Sequence, residues 1–106
     1  MFARIVETHI KPNVTKDFLN TINGEVLDIL RDQPGFVDEY TYVLEDTPDR
    51  VVAISLWDTK DDANRYAKSN YERVKDVLGE FIVEPLQVRT ATLVQSTSHK
   101  DLKAAA

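Results

Sequence analysis

An α+β domain with the chain order βαββαβ is what this sequence predicts, on three observations. Four short stretches carry apolar or β-branched residues at period two, and two longer stretches repeat apolar residues every three or four positions. The helical stretches fall after the first and the third strand. That order makes an antiparallel four-stranded sheet with helices on one face, the ferredoxin-like arrangement. At 106 residues the chain supports one hydrophobic core and not two.

The first strand runs from Phe2 to Ile10, where Phe2, Val6 and Ile10 alternate with Ala3, Ile5 and Glu7. Both sets are largely apolar, as in a strand covered on two faces. Pro12 and Asn13 break it. Phe18, Ile22, Val26, Ile29 and Leu30 then recur at helical spacing to about Asp32, with Gly24 inside the helix. Pro34 and Gly35 turn the chain into a second strand, Phe36 to Leu44, rich in aromatic and β-branched residues. The polar connection Glu45 to Arg50 has hairpin length, so Val51 to Trp57 pairs antiparallel with that strand. Thr59 followed by Asp62 predicts a capped helix through Lys68. A further helical stretch, joined to it or separate, runs from Tyr71 through Val74, Leu78 and Phe81 to Ile82. Pro85 ends it, and Leu86, Val88, Thr90, Thr92 and Val94 alternate in a last strand.

Helices on one face leave the other face of the sheet uncovered. Strand three is apolar on both sides, Val51, Ala53 and Trp57 against Val52, Ile54 and Leu56, so one side in water would expose a large apolar patch. A homodimer with sheet packed on sheet is the expected remedy. Residues 1–98 form the expected domain, and His99 to Ala106 the expected flexible C-terminal tail.

Composition narrows the function classes. With no cysteine there is no disulfide framework, thiolate metal site or cysteine nucleophile, in keeping with a reducing compartment. A net charge of −5, with 13 scattered basic residues, argues against nucleic acid as a partner. No window approaches the roughly 20 apolar residues of a membrane span, and no secretory leader opens the chain, so no membrane partner and a cytoplasmic location are expected. Gly-rich phosphate loops, Ser/His/Asp arrangements and metal-ligand spacings are missing as well.

The run Trp57-Asp58-Thr59-Lys60-Asp61-Asp62-Ala63-Asn64-Arg65-Tyr66, a strand ending in tryptophan before a short helix, resembles the central signature of the antibiotic biosynthesis monooxygenase family. Gly35-Phe36 after the long first helix and Pro85-Leu86-Gln87-Val88-Arg89 before the closing strand are similar to that family at corresponding places. The resemblance extends from the first strand to about Ser98. It implies a dimeric α+β barrel in which each subunit keeps a pocket between its helices and its sheet. It also implies oxidation of aromatic phenols or anthrones to quinones by dioxygen with no cofactor, although some relatives degrade haem or have no known activity. Haem-degrading relatives use a helical histidine, and none lies between Trp57 and Ile82; Tyr66 stands where many members carry histidine. Monooxygenase members place an asparagine near the tryptophan on the same strand, where Ala53 and Ser55 stand here.

Cofactor-free oxygenation needs an apolar cavity for an electron-rich ring, a base, and polar groups that stabilise an anion. Trp57, His9 and Tyr66 are the catalytic candidates. Trp57 offers a ring to stack on and an indole N–H, or else anchors the core. His9 is the only histidine before the tail and could act as the base, since histidine is the side-chain type whose unperturbed pKa lies near neutrality, or else simply faces solvent at a strand end. Glu7, Arg89, Ser55 and Tyr40 are the candidates for binding substrate. Glu7 shares the strand face of His9, Arg89 could hold an anionic oxygen or pair across the sheet, and Tyr40 could line a pocket or a dimer interface. The function expected is a monooxygenase acting with O2 on a small aromatic phenol or quinol, with a non-catalytic ligand-binding module of the same fold as the alternative.

Overall fold

In a computed structural model, which describes residues 1–99, the four strands order as β2-β3-β1-β4 with every neighbouring pair antiparallel. They are β1 (Phe2–His9), β2 (Phe36–Val43), β3 (Arg50–Trp57) and β4 (Gln87–Thr92). Residues 100–106 of the expected tail lie outside the described residues. This is the ferredoxin-like α+β fold, with strands one and three central as the two crossovers require.

The first crossover is one helical rod in three stretches, α1 (Thr15–Thr21), a π-helical turn (Ile22–Val26) and α2 (Leu27–Arg31). The π turn is a departure from the uniform helix expected. At its end the Leu27 N–H bonds to the carbonyl of Ile22, five residues back. The insertion keeps Phe18, Ile22, Val26, Ile29 and Leu30 all buried against the sheet.

The second crossover is α3 (Lys60–Ser69) followed by α4 (Tyr71–Leu78). Thr59 caps α3 as its spacing predicts, accepting the Asp62 N–H at 3.1 Å while its hydroxyl donates to the Asp62 carboxylate at 2.9 Å. The two helices are separate, because Asn70 leaves helical geometry at φ −129°. Its side-chain amide instead donates to Gln33 at the end of the first rod, at 3.0 Å. Helix α4 stops at Leu78, short of the expected Ile82. Ile82 forms a β-bridge with Ile10 instead, and backbone bonds from Lys11 to Phe81 and from Val83 to His9 tie that segment to the end of β1.

Between helices and sheet lies the core, in which Trp57, Phe18, Ile10 and Val51 are fully buried. Phe18 meets Phe81 edge to face at 5.7 Å. Emptying such a site, as in Phe18→Ala, costs about 3–5 kcal/mol.

A β-bulge between Phe36 and Asp38 sets which residues of β2 face the helices. Phe36 pairs with Trp57, but beyond the bulge Glu39 pairs with Ser55 and Thr41 with Ala53. Glu39 therefore shares the helix-covered face, and Tyr40 and Tyr42 go to the other. After β4 the chain returns along that other face, where the His99 ring lies 3.0 Å from both the Asp38 carboxylate and the Tyr40 hydroxyl.

Candidate active site

Alternation along β1 and β3 sends Arg4, Val6 and Thr8 of β1, with Val51, Ala53 and Ser55 of β3, toward the helices. Between these strands and the helices is a cavity of about 60 Å³. Phe18, Ile22, Val26 and Leu30 form its apolar wall on the first rod, two of them from the π turn, a local geometry frequent at functional sites. Its polar groups are Arg4, Thr8, Glu39, Ser55, Tyr66 and Tyr71.

Arg4 is 7% exposed. Among the described residues no carboxylate lies within 4.0 Å of its guanidinium, whose carbon instead sits 4.6 Å from the centre of the Tyr71 ring and 5.6 Å from that of Tyr66. Such cation–π contacts offset part of the cost of burying the charge. Among the described residues the hydroxyl of Tyr71 is buried and has no acceptor for its proton. Burial raises the pKa of both tyrosines against the lowering pull of Arg4, so each phenol stays protonated and able to donate.

Glu39 stands on the other side of Ser55 in the same cross-strand row as Arg4. Two strand spacings separate the backbones of Arg4 and Glu39, about 9.6 Å. Burial pushes the Glu39 carboxyl up, the negative charge of Asp38 adds to the effect, and the Thr41 hydroxyl, donating at 2.7 Å, only partly offsets them. The cavity thus holds a cation at one end and a carboxyl of raised basicity at the other.

Of the residues expected at a site, the structure brings together Ser55, Tyr66 and Trp57. Ser55 and Tyr66 line the cavity. Trp57 lies behind the wall, fully buried, with its ring stacked on Tyr66 at 5.0 Å and its indole N–H donating to Ser55 at 2.9 Å. His9, Glu7, Arg89 and Tyr40 are elsewhere. His9 closes β1 opposite Arg50, seven positions from the Phe2–Trp57 pair, about 23 Å along the strand. Its Nε2 lies 2.7 Å from Asp49 and its Nδ1 3.5 Å from Glu84. Glu7 lies 3.7 Å from Arg50 and, with Arg89, borders a shallow depression on the sheet face away from the helices. On that same face the Tyr40 hydroxyl donates to Asp38 at 2.9 Å.

Arg4, Glu39 and Tyr71 line the cavity and are not among the residues expected from the sequence. Arg4 did leave a signal, a charge on the strand face shared with Phe2 and Val6, since a buried polar residue is the informative exception in an apolar face. Glu39 left none, because the bulge that turns it inward has no marker in the sequence. Tyr71 reads as an ordinary helix-opening residue.

Comparison with known proteins agrees with this architecture. The sequence model described as antibiotic biosynthesis monooxygenase matches residues 1–74. No curated protein sequence matches the chain. Among solved structures, SnoaB, a cofactor-independent oxygenase from Streptomyces nogalater, superposes with a TM-score of 0.74 at 16% identity, over 92% of this chain and 97% of that one. A monooxygenase from the gene ActVA-Orf6 of Streptomyces coelicolor, in complex with nanaomycin D, superposes with a TM-score of 0.74 at 18% identity, over 90% and 88%. A protein of unknown function from Nitrosomonas europaea is equally similar in fold, with a TM-score of 0.74 at 9% identity over 91% of each chain.

Proposed function

Because the chain belongs to the antibiotic biosynthesis monooxygenase family, we propose that it oxidises a small phenol or quinol with O2 in the cavity between its helices and its sheet. The observation that carries this reading is the pairing, in one apolar cavity, of a buried guanidinium with a half-buried carboxyl of raised pKa. Glu39 takes the phenolic proton, since a base whose pKa is raised toward that of its substrate transfers the proton at lower cost. Arg4, with the hydroxyls of Tyr66 and Tyr71, stabilises negative charge as electrons pass from the ring to oxygen. For a quinol, both hydroxyl hydrogens and two electrons pass to O2, which leaves as hydrogen peroxide while the ring becomes the quinone. For a phenol with a free para carbon, one atom of O2 becomes the new carbonyl and the other leaves as water. The hydrogens of that water come from the hydroxyl and the para carbon, and the ring supplies all four electrons. Trp57 acts by holding Ser55 and Tyr66 in place.

A second copy of the chain covers the open sheet face, where Ile5, Val52 and Ile54 form an apolar strip beside Tyr42, 54% exposed. Among the described residues no helix is long and apolar enough to cross a membrane. A second reading, binding without turnover, draws support from Ala53 and Ser55 standing where monooxygenase members carry an asparagine and from Tyr66 standing where many carry histidine.

Oxygen uptake by purified protein with a panel of hydroquinones, naphthols and hydroxyanthrones tests the proposal, beside Glu39→Gln and chelator controls. Uptake that Glu39→Gln lowers by about 100-fold, the usual worth of a general base, is the expected result. No uptake above the spontaneous background with any of them favours the binding module.

A further inference from the structure

We infer that the ligand of this cavity is a single-ring aromatic acid, its carboxylate held by Arg4 and Tyr71 and its ring hydroxyl directed to Glu39. The inference rests on the cavity being the functional site, as proposed above, and adds the chemical class of what enters it.

Among the described residues two donors in the cavity lack an acceptor. The Arg4 guanidinium is 7% exposed and meets ring faces rather than a carboxylate among the described residues, and the Tyr71 hydroxyl is buried without a partner. A buried cation and a buried hydroxyl each carry a desolvation cost that one anionic oxygen placed between them removes. A carboxylate suits the guanidinium best, because two parallel N–H···O bonds form at once. The opposite end has the opposite preference. Glu39 repels a second anion and accepts from a neutral hydroxyl, so the ligand is polar at both ends and charged at one.

Size sets the rest. At about 60 Å³ the cavity is well below the 150 Å³ or so of an engineered apolar cavity that takes up benzene. A single ring requires Ile22, Val26 and Leu78 to draw back from the cavity they line, whereas a fused three-ring system requires the helices themselves to move off the sheet. Val6 and Ala53 supply the flat apolar floor for that ring.

Anaerobic titration calorimetry at pH 7 with 2,5-dihydroxybenzoate and methylhydroquinone is the test. The two probes share a quinol ring and differ by a carboxylate in place of a methyl group. The wild-type protein is expected to bind the acid at least about 10-fold more tightly, the worth of a charge-assisted hydrogen-bonded pair. Arg4→Gln removes that preference, and Tyr71→Phe narrows it, weakening the acid about 3- to 10-fold more than it weakens methylhydroquinone. Equal or weaker binding of the acid by wild-type protein, a preference that survives Arg4→Gln, or no binding of either quinol overturns the inference. Should Arg4→Gln fail to fold, the wild-type comparison and Tyr71→Phe still decide it. Acid-selective binding without oxygen uptake leaves this inference standing and removes the oxygenase reading. Uptake with methylhydroquinone and no preference for the acid does the reverse.

Discussion

The indole N–H of Trp57 donates to the hydroxyl of Ser55 at 2.9 Å, across two positions on the same face of β3. The bond joins a fully buried ring to a hydroxyl that borders the cavity, so the two side chains act as one unit. Ser55 accepts from Trp57 and keeps its own proton to donate.

Ser55→Ala therefore leaves a buried N–H unsatisfied and is expected to cost about 1–3 kcal/mol. Urea denaturation checks this through a lower midpoint at unchanged slope. In a Trp57→Phe background the same serine substitution should cost much less, since no donor is left behind; an equal cost in both backgrounds would show that the hydrogen bond contributes little.

Gly35 has φ +80°, and a Cβ there would overlap the Asp62 carboxyl that bonds to the Thr59 cap. Gly35→Ala is expected to destabilise by about 2–4 kcal/mol, combining the left-handed backbone strain with loss of the cap. Adding Asp62→Gly should recover part of that loss, because it removes both the carboxyl and the Cβ that the new methyl would meet; thermal melts of the single and double variants make the comparison.

Burial raises the Glu39 carboxyl pKa above its ordinary value, so the folded state holds that proton more tightly than the unfolded chain does. Between the unfolded and the folded pKa the native state binds more protons, and stability from this group falls as pH rises through that window. Above it, wild-type protein bears the cost of a half-buried carboxylate. Glu39→Gln should thus be more stable than wild type at pH 7 and show no advantage at pH 4. Midpoints measured at both values test the sign, and an advantage confined to low pH would contradict it.

Tyr71→Phe removes a buried hydroxyl that has no acceptor among the described residues. The variant is expected to gain about 1 kcal/mol, or about 4–8 °C in melting temperature for a domain of this size. A gain in stability together with weaker binding of the acid is the mark of a group retained for its ligand. A lower melting temperature would mean that the hydroxyl has a structural partner.

Ile54→Lys places a charge in the middle of the open sheet face. If a second copy covers that face, sedimentation should show a dimer for wild-type protein and a monomer for the variant, because an unpaired lysine buried there costs several kcal/mol. Wild-type protein sedimenting as a monomer removes the dimer from the proposal.

Much of the fold was legible because its determinants are local. Period-two alternation in β1 and β3, the spacing from Phe18 to Leu30, the Thr59–Asp62 cap and the Pro34-Gly35 stop each act within a few residues, and the structure places elements at all of them. The family signature around Trp57 was legible for the same reason. Trp57 itself lies beside the cavity, where its ring backs the wall through Tyr66 and does not enter the interior.

What the sequence alone determined is the order of elements, the two apolar faces of the central strands and the absence of cysteine chemistry. What only the tertiary structure decided is which polar groups meet. One extra residue at the β2 bulge exchanges Glu39 for Tyr40 on the inner face, since side chains alternate at period two and a shift of one reverses every residue beyond it. The helix break at Asn70 starts α4 at Tyr71, whose ring lies over Arg4. Both are packing outcomes between segments far apart in the chain, and no local propensity records them.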